Sequence, residues 1–106
     1  MKTTCLINNY NYANFLPEAV NSALNQTVSF DEIIIVDDAS TDSSAEVINT
    51  FTKETNVKSV LKEKNQGQLS SFNEGFLAAT GDIIFFLDAD DIYENEYLDN
   101  ALKFYQ

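Results

Sequence analysis

Histidine is absent from these 106 residues and cysteine occurs once. Histidine-based acid–base catalysis and ordinary zinc sites are thereby excluded, and Cys5 has no internal partner for a disulfide. It lies in an apolar-leaning first segment and reads as a core residue in a reducing cytosol. Cationic side chains are scarce too: 6 against 17 carboxylates leave a formal net charge of −11. A nucleic-acid backbone or an anionic membrane would be repelled rather than gathered. No nucleic-acid partner is expected, and a phosphate-bearing ligand would need a cation to screen it. No run approaches the roughly 20 apolar residues that cross a bilayer, and no secretory leader or low-complexity tail is recognisable. The expectation is one soluble domain over 1–106, long enough to bury a core but short for most α/β enzymes.

The most informative stretch present is 82–91, in which the apolar run from Ile83 to Leu87 ends in Asp88, Asp90 and Asp91. An unbroken run of β-branched and aromatic residues predicts a buried central parallel strand with both faces covered. Hard divalent cations take oxygen ligands, commonly one or two carboxylates plus substrate phosphates. Three crowded carboxylates repel one another unless a cation neutralises them. The alternative is an acidic loop leading into a helix, where Asp is welcome near the N-terminus.

Strand and helix patterns alternate along the rest of the chain. Thr3 to Asn8, Glu32 to Val36 and Val57 to Leu61 read as further strands. Leu16 to Asn25 has helical spacing at Leu16, Val20, Ala23 and Leu24, with Pro17 tolerated in the first turn. Ser43 to Glu46 offers a capping box for a helix carrying Val47, Ile48 and Phe51. Leu69, Phe72, Phe76 and Leu77 form an apolar stripe on a third helix, which Gly81 would close as a C-cap. Tyr97, Leu98, Ala101, Leu102 and Tyr105 predict a last amphipathic helix. This order implies an α/β fold: a Rossmann-like, mainly parallel sheet with helices on both faces.

Ligands of such sheets sit at the carboxyl ends of the strands. Three polar clusters meet there: Asn8 to Asn11, Asp37 with Asp38, and Asp88 to Asp91. A nucleotide site needs a flat side chain to stack on a base, an acceptor for a base N–H and a metal for the phosphates. Tyr10, Asp38 and the terminal aspartates are the candidates for those roles. Tyr10 as a half-buried loop aromatic, and one of Asp37 and Asp38 as a turn or capping residue, are the structural alternatives.

Several segments together, in order and spacing, resemble the nucleotide-sugar-binding half of family 2 inverting glycosyltransferases with the GT-A fold. They are Leu6 to Asn11, Leu24 to Thr27, Ile33 to Asp42, Asn65 to Gly67, Phe72 to Gly75 and Gly81 to Asp91. The resemblance runs over nearly the whole chain. It implies that Tyr10 stacks on the nucleobase, usually uracil, with Asn8 nearby, and that Asp38 accepts from the base N3–H. Asp88 and Asp90 match the DxD pair: Asp90 as the direct ligand of Mn²⁺ or Mg²⁺, Asp88 near the ribose or metal, and Asp91 beside them. The implied partners are a nucleotide-diphosphate sugar, UDP-linked by family tendency, and an acceptor glycan or lipid-linked saccharide. The implied location is the cytoplasm, a longer protein being open to peripheral attachment at the inner membrane face.

The chain departs from the family pattern in three respects. Asn8-Asn9 replaces a frequent Pro-Thr pair, and Phe72 replaces a frequent arginine, so a cationic contact to the donor is missing there. By periodicity Phe72 reads as core. The acceptor half, with its carboxylate general base, is expected beyond Gln106; no catalytic residue is assigned. The fragment is therefore expected to be inactive alone, and its uncovered apolar surface to favour self-association. Rival readings are weaker. A receiver domain would place its acidic pair after the first strand and needs a later lysine strand. An aspartyl phosphatase opens on its Asp-x-Asp and continues to Thr or Val where Ile92 stands. A non-catalytic nucleotide-sugar-binding module remains the alternative.

Overall fold

Threonine, isoleucine and valine crowd four short segments, and their branched side chains suit the pleated, buried surface of a sheet. These segments are β1 (Thr3–Asn9), β2 (Glu32–Asp37), β3 (Val57–Leu61) and β4 (Ile83–Asp88). The computed structural model describes residues 1–105; the side chain of Tyr105, expected on the last helix, and Gln106 lie outside the described residues. All strand pairs are parallel, in the order β3-β2-β1-β4, with Ile7 opposite Ile35 on one side and Leu87 on the other. Four helices complete the alternation: α1 (Leu16–Leu24), α2 (Ser44–Phe51), α3 (Gln68–Ala78) and α4 (Tyr97–Leu102), the last running into a 3-10 turn over Lys103–Tyr105.

Strand residues alternate between two cores. Cys5, Ile7, Ile33, Ile35 and Leu87 share one face with Leu16, Val20, Ile48 and Leu98 from α1, α2 and α4. Leu6, Ile34 and Val36 form the smaller core on the opposite face, against which α3 sits through Gly75. Each fully buried branched side chain of this kind contributes roughly 1.5–3 kcal/mol. The expected α/β sheet with helices on both faces is therefore present. Cys5 is a free, buried thiol whose pKa burial pushes up to about 12, so it stays protonated and inert.

Four sequence expectations change. β4 is an edge strand rather than a central one: Phe85 and Leu87 are buried, whereas Phe86 is 46% exposed. The apolar stripe of α3 is not its buried face. Leu69, Phe76 and Leu77 are exposed and Phe72 is half-buried, while Ser71 and Gly75 are the buried residues. The reason is close approach: a Cβ on Gly75 would lie 2.2 Å from Leu6 Cδ1 and 2.9 Å from Val36 Cγ2. The large residues turn sideways instead, and Phe72 stacks on Phe86 at 4.5 Å. At α2, Ser43 makes no capping hydrogen bond, and the capping box is not formed. Asp42 Oδ1 accepts instead from the Ser44 N–H at 2.9 Å and from its hydroxyl at 2.5 Å. Gly81, finally, does not cap α3, which ends at Ala78 with Ala79 in extended conformation.

A buried carboxylate ties the amino ends of the strands together. Glu32 is 2% exposed. It accepts from Thr4 Oγ1 at 2.7 Å, Thr80 N–H at 2.5 Å and Lys58 Nζ at 3.0 Å. Burial opposes its ionisation, but the Thr4, Thr80 and Lys58 donors outweigh that and bring its pKa from 4.5 down to about 2. Its contribution is thus fully present above pH 4.5 and is lost as pH falls towards 2. Glu32→Gln is expected to cost about 2 kcal/mol at pH 7 and to flatten the acid limb of stability across that window. Urea unfolding of both proteins at several pH values checks this; parallel acid limbs would show that Glu32 does not carry the pH dependence.

Candidate active site

The carboxyl ends of β1, β2 and β4 open on a cavity of about 490 Å³, whose wall includes Asn8, Tyr10, Asp38, Gln68, Asp88 and Asp90. The topology explains the convergence. Parallel strands all end at the same edge, and backbone bonds continue the ladder just past it, from Asp38 N–H to Asn9 O and from Ala89 N–H to Asn8 O, both at 3.0 Å. Residues far apart in the chain are thereby held side by side.

Asp37 and Asp38 divide their tasks. Asp37 is a turn residue: Oδ1 accepts from Asn9 Nδ2 at 2.8 Å and Ser40 Oγ at 2.6 Å, and Oδ2 accepts from Ser40 N–H at 3.0 Å. Asp38 lies in the cavity wall, 5% exposed. Its Oδ1 accepts from Gln66 N–H at 3.0 Å and pairs with Lys62 Nζ at 2.9 Å, and its Oδ2 accepts from Gly67 N–H at 3.0 Å. Burial works against the charge, yet these N–H groups and the Lys62 ammonium prevail and hold the carboxyl below its usual range. Asp38 therefore meets any ligand as an anion.

The loop carrying Tyr10 is pinned from the same side. Asn11 adopts a left-handed φ of 58°, which asparagine tolerates better than most residues. Its Oδ1 accepts from Thr41 N–H at 2.7 Å, its own N–H donates to Ser40 Oγ at 2.9 Å, and Ala13 N–H donates to Asp42 at 3.0 Å. Tyr10 itself is 42% exposed, its ring available at the cavity mouth. The Oδ1 atoms of Asn8 and Asn9 are buried without a hydrogen-bond partner among the described residues. Asn8 thus brings an unused acceptor to the cavity wall, one that a ligand hydroxyl would satisfy.

Asp88 ends β4, and Asp90 and Asp91 follow in a turn closed by the Asp91 N–H bonding to Asp88 O at 2.9 Å. One carboxylate oxygen from each lies within 4.8 Å of the others, and all three residues are exposed. Such a set of anionic oxygens fits a hard cation such as Mg²⁺ or Mn²⁺, which keeps open positions for water or phosphate. The structure thus brings together every sequence-predicted site residue, with Asp91 in the carboxylate group rather than in the cavity wall. Two participants were not foreseen. Gln68 donates Nε2 to Asp88 Oδ1 at 3.2 Å, and Lys62 pairs with Asp38. Lys62 directly follows β3, so the strand-end rule that singled out the aspartates would have found it.

Comparison with known proteins agrees with this geometry. The family described as glycosyl transferase family 2 matches residues 4–106. An uncharacterised glycosyltransferase of Nostoc sp. is 45% identical over 108 residues, covering 100% of this chain and 33% of its own length. One from Haemophilus influenzae is 41% identical over 96 residues, covering 90% and 38%. This chain thus spans about a third of the length of these two relatives. Among solved structures, S. aureus TarS in complex with UDP-GlcNAc superposes with a TM-score of 0.89 at 30% identity, over 98% of this chain and 31% of that one. The mannosyltransferase PcManGT of Pyrobaculum calidifontis, in complex with GDP-Man and Mn²⁺, gives 0.89 at 26% identity, over 96% and 31%. With the family match running from β1 to the carboxyl-terminal end, and GT-A structures superposing on the same sheet, the chain belongs to glycosyl transferase family 2.

Proposed function

We propose that these residues form the donor-binding part of a glycosyltransferase, taking a nucleoside-diphosphate sugar together with a divalent cation. The observation that carries this reading is the shared cavity of Tyr10, Asp38, Asp88 and Asp90 at the carboxyl edge of the sheet. Tyr10 stacks on the base, Asp38 accepts a base N–H, and Asn8 takes a donor hydroxyl. Asp90, with Asp88 and Asp91, holds the cation. A bound Mn²⁺ or Mg²⁺ would screen the diphosphate and stabilise charge on the leaving group. In a longer protein an acceptor hydroxyl of a glycan or lipid-linked saccharide attacks the anomeric carbon as the bond to the diphosphate breaks, inverting that centre. The hydroxyl proton passes to a carboxylate outside these 106 residues. Hexosyl transfer on the cytoplasmic side of the membrane is the reading adopted.

Because positioning and proton abstraction need groups not found here, the 106-residue chain is expected to bind donor weakly and transfer nothing. Its uncovered β4 and α3 surface favours self-association at high concentration. The test follows release of nucleoside diphosphate by this chain and by a longer family protein carrying the same residues, with candidate acceptors. Acceptor-stimulated release confined to the longer protein is the expected result. Equal rates would place the catalytic base within 1–106, and donor binding without transfer by either would favour a non-catalytic module.

A further inference from the structure

Lys62 presents its ammonium to oxygens alone. Nζ lies 2.9 Å from Asp38 Oδ1, 3.0 Å from Ser70 Oγ and 3.4 Å from Ser71 Oγ, on a side chain only 6% exposed. Three ammonium protons thus meet three acceptors, and the group has no freedom to swing away. The same accounting at Asp38 is asymmetric. Oδ1 accepts from both Lys62 and Gln66 N–H, whereas Oδ2, among the described residues, accepts from Gly67 N–H alone. Each carboxylate oxygen has two lone-pair positions, so one acceptor position remains, on Oδ2.

We infer that Lys62 determines base specificity in the donor site: by occupying Oδ1 it leaves Asp38 able to accept one base N–H rather than two, which selects uracil over guanine. The inference rests on the reading that Asp38 meets the base. Uracil offers a single ring N–H between two carbonyls. Guanine offers a ring N–H and an amino N–H side by side, the pair that suits a carboxylate with both oxygens free. With Oδ1 taken, one guanine donor is left without an acceptor, and an unmatched polar group in a desolvated site weakens binding. Cytosine carries a bare ring nitrogen at the equivalent position and would meet the anionic Asp38 acceptor to acceptor. The shared fold leaves the base open, since TarS was solved with UDP-GlcNAc and PcManGT with GDP-Man.

The test titrates UDP, GDP and CDP, each with Mn²⁺ and up to millimolar concentration, into the wild-type chain, Lys62→Met and Lys62→Arg, read by calorimetry or NMR. The wild type is expected to prefer UDP over GDP by about tenfold or more, the loss of one hydrogen bond to a charged group. Lys62→Met should bring that ratio close to one by freeing Oδ1, and Lys62→Arg, which still donates to Oδ1, should keep it. Equal binding of UDP and GDP by the wild type overturns the inference even if Lys62→Met does not fold. A Lys62→Met protein that weakens for all bases with its ratio unchanged also overturns it, because a purely structural lysine behaves that way. Absence of binding by every nucleotide would overturn the donor-site reading and this inference with it.

Discussion

Replacing Asp90 with alanine is expected to abolish cation-dependent binding of nucleoside diphosphate while leaving the fold intact. Asp90 is exposed and makes none of the hydrogen bonds that hold the strand ends together, so its removal has little to disturb. What it does remove is one of three carboxylate oxygens gathered within 4.8 Å. A chain of net charge −11 offers a bare diphosphate nothing but repulsion unless a cation is held in place. The loss should therefore exceed the roughly 10–100-fold that follows removal of an outer-shell partner of a metal site. Glu46→Ala, an exposed change on α2 away from the cavity wall, alters net charge by the same amount and serves as the control. Titration of UDP with Mn²⁺, and again with excess chelator, reads the effect. Undiminished binding by Asp90→Ala, or tight binding in chelator, would remove the cation from the account.

Gly81→Ala is expected to destabilise the fold by about 2–4 kcal/mol, the range for a forced steric clash in a packed site. A Cβ there would stand 2.4 Å from Thr4 Oγ1, 2.9 Å from Thr4 N and 3.1 Å from Thr3 C. Two of those atoms are backbone of β1, an interior strand, and cannot move aside. The displacement would also break the Gly81 N–H bond to Thr4 Oγ1 at 3.0 Å, and with it the support of Thr4 for Glu32. For a domain of this size the melting midpoint should fall by roughly 10–25 °C. Gly67→Ala is the informative contrast: nothing lies within 4 Å, but its φ of 92° strains an alanine backbone, at about 1–3 kcal/mol. If Gly81→Ala melts no lower than Gly67→Ala, the approach of residue 81 to β1 is looser than the structure has it.

Gly81 also shows why helix-end rules misled at α3. A glycine after a helical stripe signals a left-handed cap when only local sequence is considered. The requirement here comes from Thr3 and Thr4, some 77 positions away, which leave no room for a side chain. The α3 stripe failed for a related reason. Periodicity reports which residues share a helix face, not which face meets the sheet. Leu6 and Val36 come so close to the helix that no side chain fits at 75. On β4, the unbroken apolar run predicts a covered central strand, yet Phe86 stays half exposed against Phe72, and nothing among the described residues pairs beyond the β4 edge.

Strand and helix order, the parallel sheet and the meeting of Tyr10, Asp38, Asp88 and Asp90 at one edge were determined by the sequence alone. Alternation of buried runs with amphipathic stretches leaves parallel pairing as the way to bury both, and parallel strands end together. Tertiary structure alone decided which donors claim Asp37 and Asp38, which side of α3 is buried, and that Lys62 completes the Asp38 site. Each of these depends on distances between segments far apart in the chain: Asp37 is claimed by Asn9 and Ser40, and Asp38 by Lys62, Gln66 and Gly67. Local pattern encodes what a segment can become; which of its polar atoms are already spoken for is settled only when the other segments arrive.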